Sequence, residues 1–215
     1  LVSRMLDELG KAGHGDVRLR VGSVEPRSLD PEFVKVMAES EGRVCRHLHL
    51  PLQSGSDKVL HEMNRPYSAR DFLEIVAMLK REVGDISLTT DIIVGFPGET
   101  EKDFADTCAL VREVGFTKIH VFRYSRREGT PAASRTDQVP AEIKERRAHE
   151  LSELGDQLRI QYAQRRIGSH ELVAVEQEGW GMTESYYKVR IDGFKQGALV
   201  DVCLTGVDDA AIMRA

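Results

Sequence analysis

Strand-forming and helix-forming windows alternate from residue 17 to about 125, and the connections between successive strands are too long for hairpins. Antiparallel strands can be joined by a tight turn, whereas parallel strands need a crossover of a dozen or more residues, usually a helix. The alternation therefore predicts an α/β fold with a parallel sheet. A (β/α) barrel, or a section of one, is its natural closure.

The individual elements carry their own signals. "VRLRVGS" reads as the first strand, followed by "DPEFVKVMAES", where Asp30 can cap and Pro31 suits the first helical position. "CRHLHLPL" is the second strand. A polar loop leads to Ser68 and Asp71, a capping-box pair, with Phe72, Ile75, Val76 and Leu79 following at helical spacing. "ISLTTDIIVGF" is the third strand, β-branched and apolar at nearly every late position, as a strand covered on both faces should be. The next helix starts near Thr100, uses Phe104, Cys108, Val111 and Val114 as its core face, and stops at Gly115. "TKIHVFRYS" is the fourth strand.

A second region begins near residue 139. Pro140 opens a helix with an apolar stripe of Ile143, Leu151, Leu154, Leu158 and Tyr162, ended by Gly168. Beyond it the periodicity changes to two, in "ELVAVE", "YYKVRID" and "ALVDVCLTG", with glycine-containing turns between. So short a stretch, with four or so strands, suggests a small appended β-barrel. The expected division is residues 1–138, 139–167 and 168–215.

Composition narrows the classes. Apolar residues at 41% and charged residues at 30% suit a globular chain with a real core. No apolar run approaches the roughly 18 residues of a membrane span, and the amphipathic start has no signal-peptide pattern, so a cytoplasmic protein without membrane contact is expected. The chain begins with leucine in what reads as the middle of a helix, which suggests a fragment. The net charge of -5 argues against wholesale polyanion binding but leaves room for a local basic patch. Cys45, Cys108 and Cys203 form no CxxC or CxxxCxxC cluster, so they offer neither a zinc site nor an iron-sulfur cage. A buried, reduced thiol is the expectation for each.

In parallel α/β folds function collects at the carboxyl ends of the strands. Those ends are "GSVEP" (22–26), "PLQSGSD" (51–57), "GFPGET" (95–100) and "YSRREGT" (124–130), all rich in small or polar residues. Gly95 and Gly98 permit close backbone approach, so exposed amides there can bond a planar heterocycle or an anion. Glu99 can cap the next helix, favour its dipole, or accept a hydrogen bond from a ligand. A rival reading uses "HLH": His47 and His49 project to one side of a strand, and His120 with Asp91 would complete the site of a metal-dependent hydrolase. Residues 118–135 carry Lys118, Arg123, Arg126, Arg127 and Arg135 against Glu128 alone, and arginine forks match phosphate oxygens. In the last region Trp180, Tyr186, Tyr187 and Phe194 alternate with Lys188, Arg190 and Lys195, a pattern shared by nucleic-acid surfaces and ordinary aromatic cores.

"RVGSVEP", "HLHLPLQSGSDKVLHEMNRPYS", "TTDIIVGFPGET" and "HVFRYSRREGTPAA" together resemble, in order and spacing, the radical S-adenosylmethionine methylthiotransferases. "HVFRYSRREGTPAA" most resembles the branch that modifies N6-threonylcarbamoyladenosine beside the tRNA anticodon; the isopentenyladenosine and ribosomal-protein branches are near neighbours. The resemblance implies the later strands of a radical S-adenosylmethionine barrel, a connecting helix, and a small RNA-binding β-barrel of the TRAM type. It also implies S-adenosylmethionine and two 4Fe-4S clusters as cofactors, with tRNA, a sulfur donor and a reducing system as partners.

Residue by residue, Gly95, Phe96, Pro97 and Glu99 look like the family's adenine-side motif. Ser23, Glu25 and Gln53 are then candidates for the ribose and methionine side. Arg65, Arg123, Arg126, Arg127, Lys188 and Arg190 are candidates for carboxylate, phosphate or RNA contact. The sequence departs from the pattern at its cysteines: the CxxxCxxC loop and the three-cysteine domain that hold the family's clusters have no counterpart among residues 1–215. The resemblance thus predicts a chain that by itself has no cluster ligands, no catalytic residue and no reaction, and a truncated barrel prone to association through its open sheet.

Overall fold

A computed structural model of the chain describes residues 1–14 and 17–215. Its centre is a parallel sheet of β1 (His47–His49), β2 (Ser87–Val94) and β3 (Lys118–Arg123), in that spatial order. The register sets Leu48 against Leu88 and Ile92 against Val121 on one face, and His49 against Thr89 and Asp91 against His120 on the other. The first face is covered by helices and belongs to a continuous core in which Leu48 and Ile92 are fully buried. Each such side chain contributes about 1.5–3 kcal/mol over its exposed state. The second face is concave and polar, and at its far end Phe122 remains 52% exposed.

Five helices precede or flank these strands: α1 (Val2–Lys11), α2 (Pro31–Glu39), α3 (Asp57–Glu62), α4 (Ala69–Val83) and α5 (Glu101–Val114). Their boundaries follow local chemistry. Asp30 accepts the Glu32 N–H ahead of α2, and Ser68 with Asp71 forms a complete capping box on α4. Thr100 and Asp103 do the same on α5, which ends at Gly115 in the left-handed conformation. Asp103 also accepts from Ser56 Oγ at 2.6 Å and Lys58 Nζ at 3.2 Å. Burial pushes its carboxyl up, but these hydrogen bonds and those from Thr100 outweigh it and hold the group well below the usual carboxylate range.

Two expectations need correction here. "VRLRVGS" is not a continuous strand: it touches the sheet through isolated parallel bridges, Leu19 to Val44 and Ser23 to His49. The reason lies in its arginines, which turn away to the second unit. Residues 57–62, expected as loop, form α3, because Ser56 accepts the Val59 N–H and Val59 and Leu60 are buried. Six residues are too few for a helical period to show.

After the short helix α6 (Pro131–Ser134), α7 (Ala141–Arg165) runs across the helical side of the sheet. Gly155 of α7 packs beside the Ile119 side chain of β3. The remaining strands are β4 (His170–Gln177), β5 (Trp180–Thr183), β6 (Lys188–Arg190), β7 (Leu199–Cys203), β8 (Gly206–Val207) and β9 (Met213–Arg214). They form one sheet in the order β7-β4-β5-β6-β9-β8. It has more strands than the periodicity suggested, because the small pieces at 180–183, 206–207 and 213–214 are too short to alternate visibly.

This second unit seats on the amino ends of the parallel strands. Arg18 donates to the carbonyls of Leu172 and Met182, and Arg20 to those of Thr183 and Glu184. Arg46 forks onto the Glu184 carboxylate at 2.8 and 3.2 Å, and Arg166 bridges Asp85 at 2.7 Å and Glu171 at 3.0 Å. Tyr187, which the sequence left open between surface and core, is fully buried and stacks on Tyr162 of α7 with centroids 5.7 Å apart. Tyr186 stays 37% exposed and Phe194 44%. Among the cysteines Cys45 and Cys108 are buried as expected; Cys203 is exposed, because it alternates outward on β7.

Candidate active site at the strand ends

The turn after β2 is built on two glycines with positive φ, Gly95 at 74° and Gly98 at 77°. Both also have no room for a side chain: a Cβ on Gly95 would strike Lys144, and one on Gly98 would strike Arg135 and Asp137. Glu99 closes the turn, its carboxylate accepting the Gly95 N–H at 2.6 Å while its own N–H donates to the Phe96 carbonyl at 2.9 Å. Arg147 of α7 donates to the Glu99 carboxylate at 2.6 Å, with side-chain exposures of 3% and 1%. Burial pushes the Glu99 carboxyl up, opposed by the Gly95 N–H and the guanidinium. The structure thus gives Glu99 a partner of its own: its carboxylate is directed at Arg147 and at its own turn.

Other groups brace the same turn. Asp137 O accepts the Gly98 N–H at 2.9 Å and Lys58 Nζ donates to Gly98 O at 2.6 Å. Lys144 reaches Tyr124 O at 3.1 Å and lies over the Tyr124 ring, which meets Phe96 edge-on at 5.3 Å. Arg135 is therefore not a free cation of the basic stretch: it is paired with Glu62 and Asp137.

Beside the turn opens a cleft of about 530 Å³ with Ile93, Phe96 and Phe122 as its apolar lining. Gln53 and Arg65 reach it from the connection after β1, and Arg123 and Arg127 from the end of β3, with Asp91 of β2 deeper on the concave face. Gln53 holds a positive φ of 70°, rare for a residue with a side chain, because its backbone bridges to β2 through Asp91 O and Ile93 N at 2.8 and 2.9 Å. Glu25 stands at the edge, 4.0 Å from Arg65, and Ser23 pairs with His49 in the neighbouring segment. Pro97 is buried inside the turn, and Arg126 is exposed next to the cleft. Lys188 and Arg190 are exposed on β6, on the unit seated at the opposite, amino ends of the strands, and do not join this group. A larger groove of about 750 Å³ lies at those amino ends, between α7 and the turns at Gly84 and Gly115.

The proposed hydrolase quartet does not assemble whole. His49, Asp91 and His120 bring their ligand atoms within 4.8 Å of one another, but His47 is diverted. Its Nε2 lies 3.2 Å from Thr89 Oγ1 and its ring packs 4.6 Å from Tyr186. Burial, then the charges of Arg20 and His49, pushes its pKa from 6.5 down to about 3. A base depressed in the folded state favours folding fully above its unfolded pKa, and that contribution fades as pH falls from about 6.5 toward 3. The loss approaches about 1.4 kcal/mol per pH unit. His47→Gln should flatten this part of the acid limb, read as the difference between the two proteins in urea midpoints from neutral pH to about pH 5. Identical slopes would show that His47 does not titrate as described.

Arg147 and Lys144 escaped the sequence reading, although one signal was present. Residue 147 falls on the apolar stripe of its helix, between Ile143 and Leu151, where a charge needs a buried partner. The cysteines do not fit an iron-sulfur cluster: Cys45 is buried just ahead of β1 and Cys108 in α5, Cys203 is on the far unit, and the one His/Cys/carboxylate group among the described residues contains no cysteine. No helix among the described residues is long and apolar enough to cross a membrane.

Residues 3–111 match the family model described as the Radical SAM superfamily. The chain is 45% identical over 154 residues to a tRNA-2-methylthio-N(6)-dimethylallyladenosine synthase of Caldicellulosiruptor saccharolyticus, covering 72% of this chain and 32% of that protein. It is 38% identical over 200 residues to the threonylcarbamoyladenosine tRNA methylthiotransferase MtaB of Bacillus subtilis, covering 89% and 44%. A dimethylallyladenosine synthase of Saccharopolyspora erythraea is 41% identical over 197 residues, 91% and 39% of the two chains. The chain therefore spans less than half the length of these curated relatives. Among solved structures, the radical SAM enzyme coproporphyrinogen III oxidase of Escherichia coli shares the fold with a TM-score of 0.55 at 21% identity, over 73% of this chain and 36% of that one. This replaces the hydrolase reading: with the family model covering half its length, on a parallel sheet whose strand ends carry the glycine turn, the chain belongs to the radical SAM superfamily.

Proposed function

We propose that the chain is the later part of a tRNA methylthiotransferase, supplying the adenine-reading turn and the substrate side of a radical S-adenosylmethionine site. In this reading residues 1–138 are a partial (β/α) barrel, 139–167 a connecting helix, and 168–215 a TRAM-type RNA-binding barrel in a cytoplasmic enzyme. S-adenosylmethionine, when bound, would supply the radical and the methyl group. Phe96 and the Gly95 carbonyl would face its adenine, the Gly95 N–H being held by Glu99, with Gln53, Ser23 and Glu25 toward ribose and methionine. Glu99 and Arg147 keep that turn in shape. Both 4Fe-4S clusters of the complete enzyme would be held by residues outside these 215, so this chain alone should be inactive; a sulfur donor and a reducing system complete the partners.

The observation that carries the substrate choice is the cleft lining. Arg65, Arg123 and Arg127 converge beside an apolar floor of Ile93 and Phe122. Three guanidiniums suit a substrate that bears a carboxylate next to its base, as N6-threonylcarbamoyladenosine does, and fit a neutral isopentenyl chain less well. Arg126, with Lys188 and Arg190 on the second unit, would add phosphate contacts to the tRNA. The identity to the dimethylallyladenosine synthases supports a second reading, the isopentenyladenosine branch. Anaerobic reconstitution of the complete gene product tests the common part: iron and sulfide should bind, and S-adenosylmethionine should be cleaved under reduction. A product that binds neither would end both readings.

A further inference from the structure

The concave face of the parallel sheet carries a group of which only Asp91 also lines the strand-end cleft. His49 on β1, Asp91 on β2 and His120 on β3 stand side by side, with all three ligand atoms within 4.8 Å. His49 Nε2 is already 3.3 Å from Asp91 Oδ2, and the His49 and His120 rings lie 5.9 Å apart. We propose that this trio binds a borderline divalent cation such as zinc, cobalt or iron(II) through His49 Nε2, an Asp91 oxygen and a His120 ring nitrogen.

The chemistry of the donors sets the class of ion. Two imidazoles and one carboxylate suit borderline transition metals, whereas magnesium and calcium prefer oxygen alone. Bonds of about 2.1 Å in a tetrahedral site hold ligand atoms about 3.4 Å apart, so the His49 to Asp91 spacing fits, and His120 lies within 4.8 Å of both. Three ligands from three neighbouring strands, all on one face, leave the remaining coordination position toward the cleft that Asp91 lines.

The outer partners are also in place. His49 Nδ1 is 3.0 Å from Thr89 Oγ1, the hydrogen bond that fixes a ligating ring. That hydroxyl also lies 3.2 Å from His47 Nε2. Without an ion the chain can run from His47 through Thr89 to His49, whose Nε2–H donates to Asp91. With an ion on His49 Nε2 the same chain reverses: Nδ1–H donates to Thr89 Oγ1, and the hydroxyl donates to His47. Reversal keeps both bonds to Thr89, so loading the site sacrifices neither of them.

Titration of the purified 215-residue chain with cobalt(II), followed by visible absorption and by calorimetry, tests the site. The expected result is one equivalent bound, displaced by zinc, and weakened by at least about tenfold in both Asp91→Asn and His120→Ala. His120 is half-buried at the open side of the sheet, so its removal should leave the circular dichroism and thermal midpoint unchanged. His170→Ala, which removes the exposed pair with Asp201, serves as the control and should bind as the parent does. Absence of stoichiometric binding, or an affinity equal to the parent's in either trio variant, would overturn the proposal.

Discussion

Arg147→Met should destabilise the fold by about 3–5 kcal/mol. The variant leaves the Glu99 carboxylate buried without its cation, and removes the donor to Glu99 O at 3.2 Å as well. The intact pair by itself adds little, because taking two charges out of water costs about as much as their attraction returns. A second substitution should therefore recover much of the loss. Glu99→Gln keeps a carbonyl oxygen for the Gly95 N–H while removing the charge, so Arg147→Met with Glu99→Gln should be more stable than Arg147→Met alone. Urea unfolding of the two single variants and the double variant reads this coupling directly. Simple additivity would mean that the two groups do not depend on each other. Through Arg147, α7 holds the glycine turn from behind.

Tyr187→Ala should cost about 3–5 kcal/mol, as for other large buried aromatics. Tyr187 is fully buried, stacks on Tyr162, lies under Arg159 at 4.9 Å and donates its hydroxyl to Arg159 O at 3.0 Å. Burial pushes both tyrosine hydroxyls well above their usual range, so neither ionises near neutral pH. Because Tyr162 and Ala163 of α7 share one core with β4, β6 and β7, the damage should fall on the second unit first. Hydrogen exchange should show β4 to β9 losing protection while β2 and α5, packed in the other core, keep theirs. Equal loss in both units would show that the two cores unfold as one.

How much of this was legible in the residues alone depends on range. The capping box at Ser68, the helix start at Thr100, the stop at Gly115 and the run of β-branched residues in β2 are local signals, and each predicted its element. The first strand failed because Arg18 and Arg20 take partners more than 150 positions away, which no window can see. At the site, the glycine turn and the strand-end arginines were visible as motifs, since backbone geometry demands glycine where φ is positive. The pairing of Glu99 with Arg147 was not, because it joins a turn to a helix 48 residues on. Tyr186 and Tyr187 make the same point from side to side: adjacent in sequence, one faces solvent and the other fills a core, and only the packing of α7 decides which.

The central claim is that these strand ends serve a tRNA methylthiotransferase acting on an adenosine that bears a carboxylate. Mass spectrometry of nucleosides from total tRNA, compared between a strain lacking the complete gene and the same strain with it restored, tests that claim most directly. The account predicts that 2-methylthio-N6-threonylcarbamoyladenosine disappears with the gene, that its unmodified precursor accumulates, and that the complete gene reverses both. Loss of the methylthio group from isopentenyladenosine instead, or an unchanged nucleoside profile, would contradict it.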